Sequence, residues 1–156
     1  MPHIHKDVDW VIGYYLVYRD KVLLVYHIRL NTWTCPGGHV ELAEDPEETV
    51  YREIEEEMGL AKGVIEISEP ADRFLDREGF KTLPVPSYLN IHAANSCHRH
   101  IGMQYFVRTK TDAVKLDERE HSAARWFSET ELDEAQYNIP PEIKFYAKEA
   151  LRRLGS

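Results

Sequence analysis

The sequence has few cysteines, no long apolar run and no excess of basic residues. Cys35 and Cys97 are the only cysteines, with neither the density of a disulfide scaffold nor the CxxC spacing of a zinc or thiol redox site. No apolar stretch approaches the roughly 18 residues that a membrane-spanning helix needs. The first residues also lack the apolar core of a signal peptide. We therefore expect a cytoplasmic protein with reduced cysteines and no membrane partner.

Low-complexity linkers and internal repeats are absent as well. The 156 residues fit one domain spanning 1–156, which is long enough to bury roughly two thirds of its unfolded surface. With 43% apolar and 29% charged residues, the composition is that of an ordinary globular protein and excludes a disordered chain.

Unbalanced charge is confined to one segment. Residues 41–57 contain nine acidic side chains and the single Arg52, so this segment carries the whole formal charge of −8 and the rest of the chain is neutral. One acidic block in a neutral protein favours a localised cation site, and a solvated, salt-bridged helix face is the alternative. The lack of a basic surface argues against long nucleic acid as a partner.

The acidic segment contains the signals of a capped helix. Asp45 is a good N-cap, Pro46 suits the first helical position, and Glu48 can complete a capping box with Asp45. Gly59 supplies a C-terminal stop. The pattern predicts a helix over 46–58.

Three carboxylates share one face of this predicted helix. Glu53, Glu56 and Glu57 stand at positions i, i+3 and i+4, where like charges repel one another. Packing gives no reason for this placement, but carboxylate oxygens are the ligands that Mg²⁺ prefers. The loop at Gly38 can add a backbone carbonyl. We therefore expect a Mg²⁺ site.

Strand patterns surround the predicted helix. The apolar and aromatic composition predicts strands at 10–18, 22–28, 64–68, 88–93, 101–108 and 124–127, a loop at 29–38, and further helices at 129–135 and 142–154. This order predicts a mixed sheet covered by helices, in an α/β or α+β sandwich.

Residues 38–60 read G-x5-E-x7-R-E-I-x-E-E-x-G-L. This run resembles the Nudix box of the Nudix hydrolases at every defining position. Trp33 and 36–38 before it, and 125–132 after it, also resemble that family, whereas 65–100 resemble it least. The resemblance implies one Nudix domain with an α/β/α sandwich fold. It also implies hydrolysis of a nucleoside diphosphate linked to another group, by water attack on phosphorus with Mg²⁺ or Mn²⁺.

The resemblance also implies roles for the residues of the box. Glu56 and Glu57 correspond to the principal metal ligands, and Glu53 to a ligand or the general base. Arg52 and Glu44 correspond to an internal salt bridge in which Arg52 orients a catalytic glutamate. We accordingly assign Glu44, Arg52, Glu53 and Glu57 to the catalytic group, and Gly38, Glu53, Glu56 and Glu57 to the metal.

Many members of this family have a further glutamate ligand just before the Trp-Phe strand. This chain offers Glu118 and Glu120 there, and Glu120 is our preferred candidate because it lies six residues before Trp126. Alternatively, either glutamate is a solvated surface residue that binds no metal.

Substrate contacts are weakly indicated. The candidates are one arginine, two aromatic residues and two histidines: Arg29, Trp33, Tyr105, His98 and His100. Aromatic residues in a domain of this size usually belong to the core. For the two histidines, we favour strand positions in which the backbone satisfies the hydrogen bonds of the imidazole. Phosphate binding and a zinc site with His92 are the alternatives.

Two functions fit these observations. The first is a pyrophosphohydrolase acting on a small nucleotide such as a nucleoside triphosphate, ADP-ribose or a nucleotide sugar. The second is a non-catalytic module that senses a nucleotide, although such modules tend to lose box carboxylates and this chain retains them all. The sequence leaves a homodimer open.

Overall fold

A computed structural model of the chain describes residues 3–156. Eight strands and two α-helices are present in this range. The strands are β1 (Val8–Tyr18), β2 (Lys21–His27), β3 (Thr32–Thr34), β4 (Gly37–His39), β5 (Ile65–Ile67), β6 (Tyr88–Ala93), β7 (Arg99–Thr109) and β8 (His121–Phe127). The helices are α1 (Pro46–Met58) and α2 (Pro141–Leu154), and short 3₁₀ helices lie at Lys62–Val64, Glu131–Asp133 and Ala135–Tyr137.

All eight strands form one mixed sheet with β1 at its centre. β7 runs parallel to β1 along one edge, and the other strand pairs are antiparallel. The opposite edge of β1 is shared, because β2 pairs near Val17 and β4 pairs at Val11, Ile12 and Gly13. β8 pairs with β2, and β6 and β5 pair with β7. This topology brings β4 and β8 to the same end of the sheet.

Each face of the sheet is covered by one α-helix. Tyr14 and Leu16 point to the face where α1 buries Val50, Ile54 and Met58. The alternate residues of β1, with α2, form the core of the other face: Tyr15, Val17, Ala147, Ala150, Leu151 and Leu154. The period of two along β1 therefore supplies both cores. The predicted α/β/α sandwich is confirmed.

The predicted caps of α1 are present. The Asp45 side chain accepts from the Glu48 backbone N–H at 2.9 Å, and the Glu48 carboxylate accepts from the Asp45 N–H at 2.8 Å. Gly59 ends the helix in the left-handed region, at φ 67°, and its N–H donates to the Glu55 carbonyl. These local contacts fix where the helix begins and therefore which way its carboxylates face.

Two sequence expectations differ from the structure. The segment 129–135 contains one short 3₁₀ turn, Glu131–Asp133, and the first residue of a second, Ala135–Tyr137, rather than a helix. The expected loop at 29–38 contains β3 and the start of β4, because the backbone of Gly37 and Gly38 pairs with β1. Three-residue strands have too few side chains to show a period in the sequence. Of the described helices, none has the length and apolar character to cross a bilayer.

Candidate metal and catalytic site

The carboxylates of α1 differ in burial. Glu53 is 4% exposed and Glu57 is 6% exposed, and both lie where α1 meets the sheet. The side chain of Glu56 is 56% exposed. Two of the three predicted carboxylates are therefore buried between α1 and the sheet, and the third is exposed beside them.

The backbone of β4 lies directly against the buried carboxylate of Glu53. A Cβ atom added to Gly38 would overlap the Glu53 carboxylate, and one added to Gly37 would overlap the carbonyl oxygen of Ile12. Only glycine allows β4 to pair with β1 while Glu53 occupies the space above it. The structure thus brings Gly38 and Glu53 together, as the sequence predicts.

Arg52 joins several of the predicted site residues. Its guanidinium donates to both oxygens of Glu44, at 2.9 and 2.6 Å, and to Glu53 Oε1 at 2.9 Å. It also donates to the His39 carbonyl at 3.1 Å and to Glu56 at 3.2 Å. The hydrogen bonds from Arg52 lower the pKa of Glu44 to about 2. Arg52 therefore fixes the orientation of Glu53 relative to β4.

His121 is a site residue that sequence reasoning missed. It lies in β8, is 3% exposed, and its Nε2 lies 2.6 Å from Glu57 Oε2, to which an Nε2–H donates. The only sequence signal is its position directly after Glu120, the expected extra ligand. The contact spans 64 residues and arises because β8 pairs with β2.

The buried carboxylates lack sufficient positive charge around them. Burial raises the pKa of Glu53 well above its usual range, and the Glu57 charge raises it further. Burial likewise raises the pKa of Glu57. Glu57 Oε1 is buried and has no hydrogen-bond partner among residues 3–156. An unpartnered carboxylate oxygen beside a second carboxylate is suited to a divalent cation, so the residues present fit Mg²⁺.

The two candidates for the extra ligand lie in different places. Glu120 lines a cleft together with Gly37, Gly38 and His121. Glu118 lines a separate shallow depression with Glu55 and Glu56. Glu120 is also close enough for its charge to raise the pKa of Glu57.

The cleft beside the site has a volume of about 1050 Å³. That size is ample for a nucleotide-sized ligand. Of the candidate substrate contacts, Arg29 and His100 line the cleft.

The other candidate contacts lie elsewhere. Tyr105 is 1% exposed and belongs to the α1 core. Trp33 packs edge-on against Phe127 at 5.1 Å, in the core of the α2 face. His98 is buried near Asp9. The structure therefore places none of these three side chains among the residues that contact Glu53, Glu56 or Glu57.

Comparison with known proteins identifies the type of domain. The NUDIX domain family matches residues 10–148. An RNA pyrophosphohydrolase of Gluconacetobacter diazotrophicus is 28% identical over 119 residues, which cover 72% of this chain and 66% of that protein. The chain thus spans slightly less than two thirds of that relative's length.

Solved structures agree with this match. A NUDIX-family hydrolase of Clostridium perfringens is 30% identical, with a TM-score of 0.82 over 94% of this chain and 97% of that chain. The NUDIX domain of Shewanella oneidensis NrtR, solved with ADP ribose, is 19% identical, with a TM-score of 0.65 over 96% and 90% of the two chains. This second likeness concerns the fold alone. The resemblance found in residues 38–60 is confirmed.

Proposed function

The chain belongs to the NUDIX domain family, and from this premise we propose that it is a Mg²⁺-dependent pyrophosphohydrolase of a nucleoside diphosphate linked to another group. The observation that carries the proposal is the buried Glu53–Glu57 pair with its unpartnered Glu57 Oε1. Such a pair is stable only with a proton or a cation beside it. The name of the Gluconacetobacter relative, an RNA pyrophosphohydrolase, supports the same reaction class.

The proposed cation ligands are the carboxylates of Glu53, Glu56, Glu57 and Glu120 and the backbone carbonyl of Gly38. A bound Mg²⁺ would neutralise phosphoryl oxygens and lower the pKa of a water molecule. His121 holds the Glu57 carboxylate in one orientation through their 2.6 Å hydrogen bond. Hydrogen bonds that a residue outside the metal site makes to a metal ligand commonly affect the affinity for the metal.

Glu53 has two proposed roles, as a ligand or as the base that takes a proton from the attacking water. Arg52 supports either role, because its 2.9 Å bond holds Glu53 Oε1 and its two bonds to Glu44 hold the guanidinium in turn. Glu44 and Arg52 therefore act as positioning residues.

The proposed substrate is a small nucleotide that enters the cleft beside Gly38. The volume of about 1050 Å³ supports this size class. Outside residues 41–57 the chain has no net positive charge, which disfavours a long polyanion. RNA with a 5′-triphosphate stays among the substrates to be tested, because a relative carries that activity in its name.

A substrate panel with Mg²⁺ tests the proposal. We expect ADP-ribose to release AMP and ribose 5-phosphate, or a triphosphate to release a monophosphate and pyrophosphate. Glu57→Gln and Glu56→Gln should reduce turnover by orders of magnitude, roughly 10²-fold or more. Glu55→Gln is the matched control, because Glu55 lies on the same helix but its side chain is exposed and makes none of the site contacts described above. If the unaltered protein and all three variants were equally active, the ligand assignment would be refuted.

The same panel separates the enzyme from a nucleotide-sensing module. Binding of ADP-ribose or another nucleotide without release of any product, in the presence of Mg²⁺ or Mn²⁺, would support the module and contradict the proposed hydrolysis.

A further inference from the structure

A second cluster of ligating side chains lies apart from the glutamates of α1. It consists of His3 from the N-terminal segment, Asp9 in β1, His98 directly before β7 and His100 in β7, and we call it the histidine cluster. One ligating atom from each of the four residues lies within 4.8 Å of the others. Parallel pairing of β1 with β7, which sets Asp9 opposite His100, brings the segments together.

Asp9 is the centre of the histidine cluster. Its side chain is 1% exposed, and its two oxygens accept from the backbone N–H groups of Ile4 and His5 at 3.0 and 2.7 Å. Both oxygens of this buried carboxylate are therefore held in place by the backbone of the N-terminal segment.

Three imidazole nitrogens surround one oxygen of this anion. His98 Nε2 and His39 Nε2 lie 3.2 Å from Asp9 Oδ2, and His3 Nδ1 lies 3.4 Å from it. Ligands at the 2.0–2.1 Å zinc distances of a tetrahedral site are separated by roughly 3.3 Å. The separations of His98 and His3 from Asp9 Oδ2 match an edge of such a tetrahedron, and the ligating atom of His100 lies within 4.8 Å of these three.

The tautomer of His98 leaves a lone pair facing the carboxylate. His98 Nδ1 lies 3.0 Å from the Lys6 carbonyl, which can only accept, so Nδ1 carries the proton. In the neutral ring Nε2 then has a lone pair, and it faces Asp9 Oδ2, which is also an acceptor. Two acceptors at 3.2 Å repel each other unless a proton or a metal ion lies between them. A carbonyl that binds the far nitrogen is also how proteins orient metal-ligating histidines.

Other ring nitrogens of this region are unsatisfied too. The Nε2 atoms of His39 and His98 are buried and make no well-aligned hydrogen bond although both lie 3.2 Å from Asp9 Oδ2, and the buried Nε2 of His100 has no partner within residues 3–156. His98 is 2% exposed and His39 7%. Several unpartnered nitrogens that converge on one anion point to a missing ligand.

We propose that His3, Asp9, His98 and His100 form a zinc site, distinct from the carboxylate site of α1, that ties the N-terminal segment to β7. Three imidazoles and one carboxylate favour Zn²⁺, with Co²⁺ or Ni²⁺ as substitutes, over Mg²⁺. His39 adjoins the cluster from β4, next to Gly38. A metal bound here would therefore stabilise the wall of the cleft that His3, His39 and His100 line.

Cobalt spectroscopy on protein without a histidine tag tests this site. The protein is treated with EDTA, desalted, and titrated with Co²⁺ in excess Mg²⁺, which holds the carboxylate site. We expect the visible absorption of tetrahedral Co²⁺ to saturate at about one equivalent and to be displaced by Zn²⁺. His98→Ala and His3→Ala should abolish the absorption or weaken Zn²⁺ binding at least roughly tenfold in a competition assay with a chelating dye.

Two controls keep the outcomes distinct. His5→Ala removes an exposed histidine of the same segment, and Glu56→Gln alters the carboxylate site; both should bind Co²⁺ like the unaltered protein. His3 is partly exposed, so His3→Ala remains informative if His98→Ala fails to fold by circular dichroism. Absence of a tetrahedral spectrum in the unaltered protein would overturn the proposal, and so would its loss in Glu56→Gln alone. None of these measurements depends on hydrolytic activity.

Discussion

His121 Nε2 and Glu57 Oε2 are 2.6 Å apart although 64 residues separate them in the chain. Both side chains are buried, and the other Glu57 oxygen has no partner in the described part of the chain. The histidine thus fixes one oxygen of the carboxylate and leaves the other available to a cation. The site is therefore built by β8 as well as by α1.

This relationship predicts that His121→Gln weakens the response to Mg²⁺. Loss of the imidazole frees Glu57 to rotate, so the Mg²⁺ concentration for half-maximal activity should rise by roughly 10- to 100-fold. A Mg²⁺ titration of the hydrolysis rate measures this shift. The exposed histidine variant His5→Gln is the control, and a His121→Gln enzyme with unaltered Mg²⁺ dependence would contradict the role.

The close approach of β4 to α1 predicts that substitution of Gly38 destabilises the protein. In Gly38→Ala the new methyl group would overlap the Glu53 carboxylate, and we expect a loss of about 1–3 kcal/mol in the free energy of unfolding together with reduced activity. Gly63→Ala is the matched control, because a Cβ there meets nothing within 4 Å, and its effect should stay within about 0.5 kcal/mol. Urea unfolding of both variants measures the difference. Equal stability would argue against a tight contact at Gly38.

The paired hydrogen bonds between Arg52 and Glu44 predict that lysine cannot replace arginine. Arg52→Lys keeps the charge but loses the bidentate hydrogen bonds to Glu44. We therefore expect a loss of about 2 kcal/mol in the free energy of unfolding. The exposed pair of Arg119 with Asp117 gives the control, since Arg119→Lys should leave the free energy of unfolding nearly unchanged. A double-mutant cycle with Glu44→Gln should show strong coupling. Additive effects would mean that the pair acts as separate charges.

The buried carboxylates predict an unusual dependence of stability on pH. Burial raises the pKa of Glu53 and Glu57 from 4.5 to about 8, so the folded state without metal binds more protons than the unfolded state between these values. The free energy of unfolding should therefore fall as the pH rises from about 4.5 to about 8, by an amount on the order of a few kcal/mol.

Urea unfolding in EDTA at about pH 5 and about pH 8 measures this fall. Glu57→Gln should lose much less stability than the unaltered protein across the same range, and millimolar Mg²⁺ should restore stability at the upper end by binding the native state. Identical pH profiles for the two proteins would show that Glu57 is not the source of the effect.

Local features of the site were predictable because their signals lie close together in the chain. The caps Asp45 and Gly59 set the ends of α1, and spacings of three and four residues placed Glu53, Glu56 and Glu57 on one face. The Arg52–Glu44 contact spans eight residues and also follows from the box resemblance. Aromatic residues were harder to assign, since Trp33 and Tyr105 could stack on a base or fill a core. The structure buries Tyr105 in the α1 core and packs the partly buried Trp33 against the α2 core.

The sequence by itself determined the family, the capped helix and the acidic block, because helix periodicity and capping act over a few residues. Only the tertiary structure decided that His121 lies beside Glu57, that Glu120 rather than Glu118 lines the cleft, and that Asp9 lies among histidines near the starts of β1 and β7. Those contacts depend on the pairing of β2 with β8 and of β1 with β7. The register of distant strands is set by the packing of the whole core, and no short stretch of sequence contains it.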